Sequence, residues 1–307
     1  MTRPTSICRV AVLGGGFSKE REVSLVSGRA AERALKAKGL DVIFIDVTRD
    51  MSALVSSIAA AKPDVVFNAL HGRFGEDGCI QGLLDMMQIP YTNSGRLASA
   101  VAMDKPMAKR IMAAAGIPVA EERVVTRAEA ERGDVMTRPY VLKPVNEGSS
   151  VGVKIVRAGD NRPPLDDLGL SPDDLIMAER FIPGREVTVA VMGDKALAVT
   201  EITTGRDFYD YEAKYATGGS KHILPAQLDK RLYDQAMELS LAAHNILGCR
   251  GVSRADLRLD GNDFFMLEVN TQPGLTPTSL VPEQAQHVGM SFEDLMYWMV
   301  EHAQCDV

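Results

Sequence analysis

Residues 253–270 constrain the fold more than any other stretch. Arg254, Asp256 and Arg258 alternate with Ala255, Leu257 and Leu259; beyond Asp260-Gly261-Asn262, Phe264, Met266, Glu268 and Asn270 alternate with Phe265, Leu267 and Val269. Period-2 alternation on both sides of a glycine-containing turn predicts a β-hairpin. Arg254 and Asp256 then share one face of the first strand, and Glu268 and Asn270 share one face of the second. Directly opposed residues lie on the same face. A three-residue turn therefore sets Asp256 beside Glu268, either opposite or diagonal, whereas a two-residue turn sets them on opposite faces; the three-residue turn is expected. Two carboxylates and an amide oxygen are hard ligands that suit Mg²⁺. Arg254 is a fixed cation of the kind that stabilises an oxyanion. Asp256 or Glu268 alone reads more simply as part of a solvated face. The set gains weight from Asn270-Thr271-Gln272-Pro273-Gly274, where a poor strand residue and a Pro-Gly stop expose backbone N–H groups.

The chain of 307 residues is long enough for two or three domains with their own cores. Its formal net charge of −7 points to neither nucleic acid nor an anionic membrane, so cations for a phosphate must be local. No apolar run reaches membrane-spanning length, and the first residues lack a signal-peptide layout. Cys8, Cys79, Cys249 and Cys305 are scattered, without metal spacing or a disulfide framework. They read as reduced thiols, and the protein as cytoplasmic.

Ile7 to Leu13 is an apolar strand followed by Gly14-Gly15-Gly16 and a helix opening at Ser18 to Glu22. The dinucleotide fingerprint fails because Lys19 occupies the third glycine position. Glu20 reads without further context as a first-turn acid favoured by the helix dipole. A third strand ends in His71-Gly72-Arg73-Phe74-Gly75-Glu76-Asp77-Gly78, which is either plain turn chemistry or a site loop at a strand's carboxyl end. The alternation of strands and helices up to Tyr91 is that of one α/β domain. Ala98 to Gly116 is expected as a helix carrying Lys105 near its start. Between the strands at 139–144 and 151–156, Asn146-Glu147-Gly148-Ser149-Ser150 is either an ordinary hairpin loop or a flap over a triphosphate; it lacks Walker A spacing. Residues 203–224 form a long irregular segment of the length that functional lids have. Leu228 to Leu247 carries a core-facing helical stripe.

Six of these motifs, in register from about Val10 to the last helix, resemble the D-alanine–D-alanine ligase family of the ATP-grasp superfamily. They are S-K-E-R-E-V-S-L at 18–25, H-G-R-F-G-E-D-G at 71–78, K-P-V-N-E-G-S-S-V-G at 143–152, E-A-K-Y at 212–215, R-A-D at 254–256, and L-E-V-N-T-Q-P-G-L-T-P-T-S-L at 267–280. The resemblance implies a three-domain ATP-grasp fold, α/β overall and α+β in its ATP-binding part. Residues 1–96 would form an open parallel α/β domain, 97–183 a central subdomain with the flap, and 184–307 a C-terminal subdomain with the lid and the hairpin. It implies ATP as substrate, two Mg²⁺ ions with Mn²⁺ as an alternative, and a homodimer.

Residue by residue, the resemblance places Glu20 on the first D-alanine's ammonium and His71 near that substrate. Ser149 and Tyr215 join Glu20 around it. Lys105, Lys143 and Lys214 fall on the nucleotide phosphates, Glu179 on the adenine amino group, backbone at Phe181 and Ile182 on the ring, and Glu186 on the ribose. Asp256, Glu268 and Asn270 hold the metal; Arg254 and the Gly274 N–H stabilise the oxyanion; Ser279 and Leu280 hold the second carboxylate. The implied reaction is ATP plus two D-alanines to D-alanyl-D-alanine, ADP and phosphate, through a D-alanyl phosphate, for peptidoglycan synthesis. Two alternatives stand beside it: a ligase of the same fold using D-serine or another acceptor, and a non-catalytic nucleotide-binding module.

Overall fold

The chain was described from a computed structural model, which covers residues 9–146, 148, 152–161, 165, 169–203 and 221–306. Cys8, Ser149, Lys214 and Tyr215 lie outside these residues.

The first strand is apolar on both faces because it runs through the middle of a parallel sheet. β1 (Arg9–Gly15) lies between β2 (Asp41–Val47) and β3 (Val65–Asn68), in the order β2-β1-β3. The crossovers are the helices α1 (Arg21–Ala37) and α2 (Met51–Ala61); α3 (Cys79–Met86) follows β3. Gly14 and Gly28 let α1 approach the sheet closely, since a Cβ at either would fall within 3 Å of the Phe44 ring. All the strands point their carboxyl ends at the loops carrying Glu20 and His71, the usual location of a site in such sheets.

The expected helix from Ala98 is two helices, α4 (Arg96–Met103) and α5 (Lys105–Ala114). Asp104 breaks them: its backbone is extended (φ −84°, ψ 92°) and its carboxylate accepts from Met107 N as the N-cap of α5. Lys105 and Lys109 consequently sit one turn apart on α5.

Two antiparallel sheets follow. β4 (Glu122–Thr126), β5 (Tyr140–Pro144), β6 (Lys154–Val156) and β7 (Leu175–Arg180) form one in the order β4-β7-β5-β6. The helix α6 (Arg127–Arg132) extends β4 through a Thr126–Glu129 capping box. β8 (Arg185–Met192), β9 (Lys195–Thr203), β10 (Lys221–Ile223), β11 (Val252–Asp260) and β12 (Asp263–Asn270) form the other, ordered β10-β9-β8-β11-β12. The stripe predicted after Leu228 becomes α7 (Lys230–Ile246), packed through Leu232, Ala236 and Ala243 on this sheet. Ala108 and Met112 of α5 enter the same core.

The chain closes on its beginning. α8 (Leu280–His287) and α9 (Phe292–Glu301) bury Val281, Leu295, Met296, Met299 and Val300 against Val10, Val12, Val65 and Phe67. Each burial of this kind is worth about 1.5–3 kcal/mol. Among the described residues no helix is long and apolar enough to cross a membrane, and Cys79, Cys249 and Cys305 are free thiols.

Candidate active site

The hairpin brings Asp256 opposite Glu268 and Arg254 opposite Asn270, as expected, but by a different route. The turn has two residues, Gly261 and Asn262, because Asp260 pairs with Asp263. A β-bulge then shifts the register, so that Leu257 pairs with Met266 and Asp256 with Glu268, leaving Leu267 as the extra residue. The shift also reverses the facing of β12. Phe264 and Met266 point into the core, and past the bulge it is Val269 that does so. Glu268 and Asn270 thereby join the face of Arg254 and Asp256. A three-residue turn and a two-residue turn with one bulge put the same side chains on one face, and only the second is present.

On this face Arg254 forks the Asp256 carboxylate, with Nε donating to Oδ1 at 2.8 Å and Nη2 to Oδ2 at 2.7 Å. Thr188 of β8 donates its hydroxyl to the same Oδ1 at 2.7 Å. Lys105 Nζ lies 3.7 Å from Glu268 Oε2. Asn270 Oδ1 accepts from the Gln272 N–H at 2.8 Å. Two protein cations thus sit on the two acids. Oxygen-only donors on adjacent strands, already balanced by positive charge, fit a divalent ion such as Mg²⁺. Among the described residues no three His, Cys, Asp or Glu side chains converge on one point, so the third protein ligand would be the Asn270 amide.

The second sheet supplies the other wall. Lys143 and Glu179 occupy β5 and β7 on the same face, since Lys143 pairs with Met177 and Val141 with Glu179. Both are buried, and Lys143 donates to Glu179 Oε2. Lys109 of α5 donates to the other oxygen, Oε1. Burial would push the Glu179 carboxyl up, but the two ammonium groups outweigh it and hold it below the usual range. Lys143 also feels Glu268 and Glu186 of the other antiparallel sheet. Glu186 accepts from Arg258 Nη1 at 3.1 Å, and Arg258 Nε donates to the Ile182 carbonyl. The Phe181 N–H donates to Pro139.

At the far end of the cleft, Glu20 and His71 are both buried. His71 Nε2 lies 3.3 Å from Ser27 Oγ, and burial keeps the imidazole below its usual pKa despite Glu20 nearby. The Leu275 N–H points at the same Ser27 oxygen, at 3.5 Å. That contact draws the 271–279 turn onto α1. Gly274 faces the Ser279 side chain, where an added Cβ would lie 3.2 Å from Oγ. Ser279 Oγ accepts from the Thr276 N–H, and Ser279 precedes Leu280, the first residue of α8. The substrate-binding candidates of the two ends of the sequence are therefore neighbours.

Sequence reasoning gave no role to Glu76, Lys109 or Gln272. Gln272 ties the hairpin to the first sheet, accepting from Asn93 at 2.9 Å and donating to the Asn68 carbonyl at 2.6 Å. Glu76 is buried, accepts from the Gly72 N–H at 3.0 Å, and lines a cavity of about 30 Å³ with Lys105, Gly148, Glu268 and Asn270. Gly148 fits there because a Cβ would press on both Glu20 and Glu76. Burial, with Glu20 adding to it, raises the Glu76 carboxyl from 4.5 to about 8. The folded state therefore takes up a proton that the unfolded chain releases. Below about pH 4.5 the carboxyl is protonated in both states; from there to about pH 8 the protein should lose stability relative to Glu76→Gln, with no further change above. Melting curves of the two ligand-free proteins across that range test this, and a constant difference in Tm would refute it.

Comparison with known proteins identifies the family. Models described as D-ala D-ala ligase N-terminus and C-terminus match residues 53–94 and 111–301. A D-alanine–D-alanine ligase of Rhodospirillum rubrum is 60% identical over 303 residues, covering 97% of this chain and 99% of that protein. The chain belongs to the D-alanine–D-alanine ligase family. A family member from Parvibaculum lavamentivorans is 58% identical over 97% of this chain and 98% of its own length. The family's ATP-grasp fold is found in the solved D-alanine–D-alanine ligase of Bacillus anthracis complexed with ATP. It matches with a TM-score of 0.80 at 28% identity, over 96% of this chain and 97% of that one. The VanG D-Ala:D-Ser ligase of Enterococcus faecalis matches at 0.79 and 29% identity, over 96% and 99%.

Proposed function

We propose that the chain joins two D-alanines to D-alanyl-D-alanine with conversion of ATP to ADP and phosphate, as a cytoplasmic homodimer supplying peptidoglycan synthesis. The observation that carries this reading is a chain of neighbouring polar groups. A buried carboxylate stands beside a buried imidazole, next to the guanidinium on the acid pair, and Glu268 of that pair neighbours the buried lysine on Glu179.

A carboxylate is a poor electrophile, so it must first be activated. The first D-alanine rests its ammonium on Glu20, with His71 behind. Its carboxylate oxygen attacks the γ-phosphorus of ATP, the bond to the β,γ-bridging oxygen breaks, and ADP leaves. Lys105 and Lys143, with Lys214, balance the phosphate charge. Glu179 accepts from the adenine amino group, Phe181 and Ile182 lie along the ring, and Glu186 holds the ribose. Asp256, Glu268 and Asn270 would hold Mg²⁺, whose chemistry is to neutralise and align the transferring phosphoryl group.

The second D-alanine, its carboxylate held by the Ser279 hydroxyl and the Leu280 N–H, loses an ammonium proton. Ser149 and Tyr215 are the candidates to relay it. The amine attacks the acyl carbon and forms the C–N bond. Arg254 and the Gly274 N–H stabilise the resulting oxyanion, and collapse expels phosphate. The likeness to the D-Ala:D-Ser ligase makes the acceptor the point to test. Product analysis with D-alanine and D-serine at equal concentration should give mainly D-alanyl-D-alanine. A mixed dipeptide as the main product would assign the chain to the other acceptor.

A further inference from the structure

Lys109 has no place in the reading above, yet it is 2% exposed and bonded to the carboxylate assigned to the base. A lysine is almost never fully buried unless it is paired, because desolvating an ammonium is costly. Its neighbours on α5, Ala108 and Met112, are core residues, so an apolar side chain would have served packing alone.

The two lysines on Glu179 differ in what else surrounds them. Lys143 also senses Glu268 and Glu186, on the metal-and-ribose wall. Lys109 takes the other carboxylate oxygen, Oε1, and has Lys143 and Glu122 as its further charged neighbours. Glu122 is the register partner of Glu179 across β4 and β7, and its Oε2 is buried without a hydrogen-bond partner among the described residues. Lys109 is therefore the cation next to two adjacent acids. The helix that carries it also carries Lys105, one turn earlier, near Glu268. One helix thus lays an ammonium at each end of the nucleotide cleft.

On the reading above, Lys143 serves the phosphates when ATP binds, which leaves Lys109 as the second donor already on Glu179. We propose that Lys109 is a positioning residue for the nucleotide base: it remains on Oε1 and holds the Glu179 carboxylate charged and oriented, with the other oxygen free to accept from the adenine amino group. The inference rests on the assignment of Glu179 to that amino group. It makes Lys109 a determinant of nucleotide selectivity without contact with ATP.

The test compares ATP with inosine triphosphate, whose base carries a carbonyl where adenine carries the amino group, in the intact enzyme with D-alanine. Lys109→Met should raise KM for ATP by about tenfold or more, the scale of a hydrogen bond to a charged group. The KM for inosine triphosphate should change much less, so the preference for ATP collapses, while kcat at saturating ATP falls less than KM rises. Lys109→Arg should restore the preference. A purely structural lysine would not move the ratio of the two nucleotides. If Lys109→Met does not fold, the double variant Lys109→Met/Glu122→Gln removes one charge of each sign and is measured in its place. An unchanged preference in the folded variant, with the preference lost in Glu179→Ala, would overturn the role of Lys109 alone. An unchanged preference in Glu179→Ala would overturn the assignment of Glu179 and the inference with it.

Discussion

Arg254→Ala should lower turnover by about 10²-fold or more, the usual cost of removing an oxyanion-stabilising donor. Arg254 pairs across the strands with Asn270 and forks Asp256, and it lies close enough to His71 to influence the imidazole. On the proposed reading it therefore stands between the group proposed for the first amino acid and those proposed for the phosphates, where the acyl carbon would lie. Asp256 keeps its bond from Thr188 in the variant but loses two charged donors. That loss costs stability of about 1–3 kcal/mol. Lysine at this position keeps the charge and loses the fork, so Arg254→Lys should fall between the two. Steady-state ADP release, with a melting curve beside it, separates rate from folding. A near-normal rate, or a protein that no longer folds, would remove the case for Arg254 in the chemistry.

The second large effect is expected at Glu268→Gln. The substitution keeps the shape and the strand pairing with Asp256 but removes half of the acid pair. A change at a metal centre of even indirect ligands costs about 10–100-fold in affinity or activity, and loss of a carboxylate ligand should reach the upper end or pass it. Turnover should fall accordingly, and the Mg²⁺ concentration giving half-maximal rate should rise at least tenfold. Lys105 loses its neighbouring charge at the same time. Removing that ammonium's partner affects phosphate binding much less than losing a metal ligand. A Mg²⁺ dependence identical to that of the parent protein would show that Glu268 is not a ligand.

The hairpin shows how far the sequence carries such an argument. Alternation identified the two strands and the pairs Arg254 and Asp256, and Glu268 and Asn270, that each share a face; bringing the two pairs onto one face depended on the connection between the strands. Alternation did not show the bulge at Leu267, since an extra leucine in an apolar-polar run has no distinctive signature. The compensating turn length was accordingly misjudged, although Asp256 still meets Glu268. The break at Asp104 was missed for a related reason: one capping residue inside a helical pattern looks like an exposed acid until its carboxylate is seen on Met107 N.

What stayed hidden in the site depends on partners distant in sequence. Glu76 sits in a motif that was noticed, but its raised pKa comes from burial and from Glu20. Lys109 reads as one more lysine on a helix, and only the contact with Glu179 of β7, 70 residues later, makes it a buried ion-pair partner. Gln272 is one residue of the 267–280 motif with no role of its own in the sequence; its amide bridges to Asn68 and Asn93, some 200 residues earlier. The family resemblance, by contrast, was legible because six short motifs kept their order and spacing over the chain.

The most direct test of the whole account is ADP release by the purified protein with Mg²⁺ and ATP as the amino acid is varied. The account predicts turnover that requires D-alanine, ignores L-alanine, and yields one D-alanyl-D-alanine per ADP. ATP binding without turnover in the presence of D-alanine would contradict it.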